Sequence, residues 1–303
     1  MTAETDAKAG RPQALALVAL AAATLCFSLV PMAVRFSEVG PTATAFWRFV
    51  FALAPLLLWL RISRQSGRED GDAPPNSSRV LAVVSVALAA DMITWHTAIA
   101  HTSVVNSMLI AYSSPILVAI GAWIFLKERF GMQFTLGLIL SLLGSYLLIS
   151  HGSAAFGSFA KGDYLAIAAA AMFSVYVVGL RSVRRHLSTA KVLTWNTIIP
   201  TPVLLVAALA LGETILPHSL AGWSLLIGYA LIVHVLGQGL FTYAIAQLPA
   251  AFNVVAILGS PVIAAGLAWA LLDEAMTPLQ IAYGVVVLIG IYLAHRGSAS
   301  AGG

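Results

Sequence analysis

Ten stretches of roughly twenty residues pass almost without charge in this chain, the length that crosses a bilayer as an α-helix. They lie at about 14–34, 42–62, 80–100, 103–126, 134–150, 163–181, 192–211, 223–246, 250–272 and 278–294. Backbone in hydrocarbon must satisfy its own hydrogen bonds, which leaves helices or closed barrels, and runs this long are helices. The composition explains why no soluble fold competes: 60 % of the 303 residues are hydrophobic and 9 % charged, against about 25 % charged in soluble domains. An all-α integral membrane protein with ten spans is expected, and a soluble multidomain enzyme is excluded. Only His101-Thr102-Ser103 separates the third run from the fourth, and Gln247-Leu248-Pro249 the eighth from the ninth. Either pair fused would be too long for one crossing, so both are read as tight turns.

The basic residues test this division, because basic loops stay on the cytoplasmic side. With the N-terminus inside, the inner segments hold Lys8, Arg11, Arg61, Arg64, Arg68, Arg79, Lys127, Arg129, Arg181, Arg184, Arg185, Lys191 and Arg296. The outer segments hold Arg35 and Lys161, and Arg48 lies within the second span. The bias places both termini in the cytoplasm. It also accounts for the net charge of +4 without a nucleic-acid partner. The first span lacks a persuasive cleavage site and is read as uncleaved. Residues 61–79 read as a mobile connection, and the tail from Gly297 as disordered. The single cysteine, Cys26, excludes an intramolecular disulfide.

Sliding the chain against itself gives one recurrent offset, 146 residues. Phe27-Ser28 meets Phe173-Ser174, Arg35 meets Arg181, Ser114-Pro115 meets Ser260-Pro261, Trp123 meets Trp269, Glu128 meets Glu274, and Tyr146 meets Tyr292. Pro, Trp, Glu and Tyr in one register are hard to obtain by accident. Each half then holds five spans, and because five is odd the second half enters the membrane from the opposite side. The expected organisation is a tail at 1–13, a first half at 14–152, an inverted second half at 153–296 and a tail at 297–303. Inverted repeats build secondary transporters whose halves rock about a site near the midplane.

Candidate site residues follow from depth and pairing. Asp91 is the one carboxylate far from any expected membrane edge, and a buried intramembrane acid is by default a functional candidate. It can hold a substrate ammonium, carry a proton or lock packing, and the sequence leaves the three open. Met92, Trp95 and His96 lie beside it on the same helix. His234 and Gln238 occupy the matching depth of the eighth span, so two polar patches are expected to face each other. Phe27, Ser28, Phe173, Ser174 and Tyr176 offer an aromatic wall. Tyr112, Ser114, Asn253 and Ser260 offer polar groups beside the prolines. Pro31, Pro115 and Pro261 are hinge candidates, since proline frees a carbonyl one turn earlier. Arg48 is read as snorkelling outward, with a substrate carboxylate as its alternative partner. Glu128 and Glu274 are read as capping the next helix or holding a short loop. No P-loop, His-Glu-x-x-His or Gly-x-Ser-x-Gly occurs, so no ATP-driven pump, metal site, cofactor or catalytic residue is expected.

The two five-helix halves, Trp47-Arg48-Phe49, and Ser114-Pro115 leading through an apolar stretch to Leu126-Lys127-Glu128-Arg129 resemble the EamA-type, ten-span branch of the drug/metabolite transporter superfamily. A second copy runs from Ser260-Pro261 to Asp273-Glu274. The resemblance covers about residues 14 to 294. It implies export of small metabolites, with amino-acid exporters the nearest likeness, by alternating access through a central cavity, with no enzymatic activity. Protons are the candidate coupling ion and a monomer the candidate working unit. Two other readings remain: a quaternary-ammonium or multidrug exporter using the same aromatic walls, and a non-transporting sensor or lipid-handling protein.

Overall fold

The computed structural model describes residues 3–65, 74–102, 104–150, 160–272 and 276–299. Ten helices are long and apolar enough to cross a bilayer: Gln13–Phe36, Pro41–Gln65, Ser77–Ala98, Ser107–Leu126, Met132–Ser150, Lys161–Val183, Thr189–Ala210, Leu220–Ala244, Ala250–Ala270 and Pro278–Ser298. They coincide with the ten apolar runs, and among the described residues there is no β-strand. The ends differ where polar residues extend the helices. The first helix starts at Ala3, so the expected N-terminal tail is largely helical. The last runs to Ala299, which corrects the expectation of disorder from Gly297. Much of the 61–79 connection, with Asp273 and Glu274, lies outside the described residues.

The helix pairings exchange when the two halves are exchanged. The third span packs along the sixth and the eighth along the first; the fourth meets the sixth and the ninth meets the first. The second and seventh, fourth and ninth, and fifth and tenth pack on each other. The fifth–tenth contact is close because both helices present small residues to it. A Cβ on Gly144 would sit 2.9 Å from Val287 N and 3.1 Å from Tyr283 O, and one on Gly290 would sit 2.7 Å from Gly137 O. Gly144 and Gly290 are repeat mates, so one approach is used twice.

Prolines interrupt the helices that surround the centre. The first span breaks at Leu29, two residues before Pro31, and the fourth breaks between Ala111 and Ser114, before Pro115. The ninth breaks between Ile257 and Ser260, before Pro261. The seventh breaks at Ile199, before Pro200, a site the sequence reading did not mark. The eighth instead widens into π-helix over Ala230–Gln238.

Candidate transport site

A cavity of about 470 Å³ lies between the two halves, a size typical of small-ligand sites, about 300–1,000 Å³. Of the residues selected from sequence, Phe27, Ser28, Asp91, Met92, Trp95, His96, Tyr112, Ser114, Phe173 and Ser260 line it, together with Pro31, Pro115 and Pro261. Proline has no N–H to give the carbonyl four residues earlier. Those residues are Phe27, Ala111 and Ile257, and all three line the cavity. Across the centre, the Tyr112 and Ser260 hydroxyls stand 3.4 Å apart. His96 Nδ1 lies 2.6 Å from Met92 O, and Trp95 packs edge-on to its ring.

Ser174, Tyr176, His234, Gln238 and Asn253 lie outside the cavity wall. The Ser174 hydroxyl donates to Ala170 O at 2.7 Å. Gln238 Nε2 donates to the Tyr176 hydroxyl at 2.6 Å, tying the eighth span to the sixth. His234 Nε2 and the Thr197 hydroxyl are 2.8 Å apart, with the Phe49 ring stacked obliquely on the imidazole. Asn253 Nδ2 donates to Leu248 O and Pro249 O, holding the turn before its own helix. His234 and Gln238 are therefore absent from the cavity wall, and the eighth span, π-helical over Ala230–Gln238, contributes Tyr229 to it.

Arg48, for which the sequence offers outward snorkelling or a substrate carboxylate, is in the wall. It does not snorkel. Its Nη1 donates to the Tyr229 hydroxyl at 3.3 Å and its Nη2 points to Met92 Sδ at 3.6 Å. The guanidinium lies 5.0 Å from the Phe49 ring centre and 5.4 Å from that of Tyr229. Asp91, 6 % exposed, faces the same cavity within electrostatic reach of Arg48. Position alone flags Arg48, seven residues into a span, because an intramembrane arginine needs a polar partner.

Beyond its mid-span residues, the lining includes residues at span ends away from the termini, among them Val34, Pro41, Trp95, Ile149 and Gln280. Toward the termini the bundle is closed. Glu128, at the end of the fourth span, accepts from Ala250 N at 3.0 and 3.1 Å, so it caps the ninth helix, across the repeat, and not the next one. Arg181 Nε lies 3.7 Å from Glu128 Oε1, and its Nη1 donates to Ile245 O at 2.7 Å. Arg184 Nε donates to Thr242 O at 3.0 Å. These contacts fasten the ends of the fourth and sixth spans to the eighth and ninth.

Comparison with known proteins agrees with this architecture. Residues 14–150 and 160–296 each match the EamA-like transporter family. An uncharacterized transporter of Archaeoglobus fulgidus is 24 % identical over 286 residues, covering 91 % of this chain and 95 % of its own. The pseudopaline exporter CntI of Pseudomonas aeruginosa is 26 % identical over 275 residues, covering 90 % and 93 %. A solved crystal structure shares the fold with a TM-score of 0.73 at 18 % identity, covering 96 % of this chain and 98 % of its own. With two matched copies filling almost all of a ten-span bundle around one central cavity, this chain is a multi-pass membrane transporter, not an enzyme, and belongs to the EamA-like transporter family.

Proposed function

We propose that the protein exports small amphipathic metabolites, amino acids foremost, across the inner (plasma) membrane by alternating access, as a monomer with both termini in the cytoplasm. One observation carries this reading: the cavity lies where the repeat-related halves meet. Phe27 and Phe173, Ala111 and Ile257, Ser114 and Ser260, and Pro115 and Pro261 line it as mate pairs. Pairs present on both sides of the relation serve both orientations of the cycle.

Other lining residues have mates that are packed away. Met92, Trp95 and His96 correspond to Gln238, Phe241 and Thr242, and Val30 to Tyr176. Phe241 and Tyr176 are 1 % exposed, and the buried Thr242 hydroxyl has no hydrogen-bond partner among the described residues. In the inward-open state these residues form the wall, which gives Tyr176 and Gln238 the pathway role expected of them from sequence. The basic residues at the sealed end support a cytoplasmic position for that end. The relative named a pseudopaline exporter supports export as the direction.

Asp91 supplies the coupling. Its carboxylate takes a substrate ammonium and a proton in turn, so one proton enters for each substrate that leaves. The Arg48 guanidinium beside it weighs against a quaternary-ammonium exporter. The test is purified protein in liposomes, screened with labelled amino acids, nucleosides and organic cations. Amino acids are expected to move faster than in empty vesicles. If no solute does, the exporter reading falls.

A further inference from the structure

Arg48 is held in place but not neutralised. Its partners are a tyrosine hydroxyl at 3.3 Å, a thioether sulfur at 3.6 Å and two ring faces. None carries a negative charge, and a thioether is a weak acceptor. Its Nε is buried with no hydrogen-bond partner among the described residues. A guanidinium is shaped to give paired hydrogen bonds to a planar oxyanion, and among the described residues none is hydrogen-bonded to it. Asp91 shows the complementary deficit. It faces the same cavity, nothing among the described residues donates to its carboxylate, and it is not among the hydrogen-bonded partners of Arg48.

A guanidinium and a carboxyl kept apart in a largely apolar chamber leave each other unpaired. Direct closure would satisfy both and leave a neutral wall. Held open, they are satisfied by a ligand that brings one charge of each sign. Arg48 and Asp91 are the formally charged residues among the described lining; Phe27, Trp95 and Phe173 add aromatic rings to a largely aliphatic wall.

We propose that Arg48 anchors the carboxylate of the substrate while Asp91 anchors its ammonium, so that the cavity selects free α-amino acids with apolar or aromatic side chains. This rests on the exporter reading and names its substrate class. The two anchors make different demands. An amide lacks the group that Arg48 needs, a deaminated acid lacks the group that Asp91 needs, and an aromatic side chain alone meets neither.

The test uses the full chain in liposomes loaded with labelled L-phenylalanine. Exchange is competed by L-phenylalanine, L-phenylalaninamide or 3-phenylpropionate. Both analogues are expected to compete at least about tenfold more weakly than the amino acid, the loss of one charge-assisted contact. Arg48→Gln is expected to abolish discrimination against the amide while still rejecting 3-phenylpropionate, and Asp91→Asn to do the reverse. Arg48→Lys keeps the charge without the fork and retains part of the discrimination, which covers the case that the Gln variant does not fold. An amide that competes as well as the amino acid in the wild type overturns the proposal and leaves the exporter reading standing. So does Arg48→Gln protein with unchanged discrimination. If no labelled phenylalanine exchanges, thermal unfolding of the detergent-purified chain with the same three ligands decides. Stabilisation by the amino acid alone supports the site, and equal or absent stabilisation overturns it.

Discussion

Glu38 and Glu213 each cap the helix that the other's loop leads into. Glu38 precedes the second span, yet it accepts from His218 N at 2.7 Å and Ser219 N at 3.0 Å, and from the Ser219 hydroxyl, at the start of the eighth. Glu213 precedes the eighth span, yet it accepts from Thr42 N at 3.2 Å and Ala43 N at 2.8 Å, at the start of the second. Carboxylates at helix N-termini satisfy orphan N–H groups and the helix dipole. The exchange ties the two halves together on the face opposite the termini.

The Ser219 hydroxyl that donates to Glu38 holds its carboxyl below the usual glutamate range. A lowered folded-state value means that the contribution is complete above the unfolded value and lost as pH falls through the folded one. Thermal unfolding in detergent is therefore expected to stay level down to the ordinary glutamate range, about 4.3, and to weaken below it. Glu38→Gln is expected to be less stable at neutral pH and to lose less on acidification. Parallel curves for the two proteins would sink this account.

Glu128→Gln removes the charge from the closure at the sealed end. The Ala250 N–H and Arg181 lose a charged acceptor, a loss of about 1–3 kcal/mol, which favours opening on the terminal side by about 5- to 150-fold. A cysteine at Gln238 is expected to react faster with a thiol reagent supplied from that side in Glu128→Gln than in the parent. Equal rates would show that the contact does not hold the end shut.

Close helix packing predicts opposite outcomes for two glycines. Gly290→Ala drives a methyl into the Gly137 carbonyl and Ser141, and is expected to cost about 1–3 kcal/mol in unfolding experiments. Gly266→Ala meets nothing within 4 Å and gains helix propensity, with an expected change between zero and about 1 kcal/mol of stabilisation. Similar losses at both positions would contradict the packing described for the fifth and tenth spans.

Asp91→Asn keeps size and hydrogen bonding but cannot release a proton. The variant is expected to elute as the parent does on gel filtration and to lose all stimulation of efflux by an imposed pH gradient, with residual exchange remaining. Retained stimulation would reduce Asp91 to a packing residue.

The sequence by itself determined the number of spans, because a helix must bury about twenty apolar residues to cross hydrocarbon and polar residues end each run sharply. It also determined the two related halves, since Ser114-Pro115 and Ser260-Pro261 share their offset with Phe27 and Phe173. What it left undecided was which face of each helix meets which neighbour. In soluble helices a polar stripe marks the outside; here lipid-facing and protein-facing residues are equally apolar, so Trp123 is 60 % exposed while Phe49 is 1 % exposed. Only the packed bundle could turn Arg48 into the cavity, hand His234 to Thr197, and send Glu128 to the ninth helix instead of its own loop. Those outcomes depend on helix rotation and on breaks in the helices, and they are settled by contacts between residues 37 to 181 positions apart.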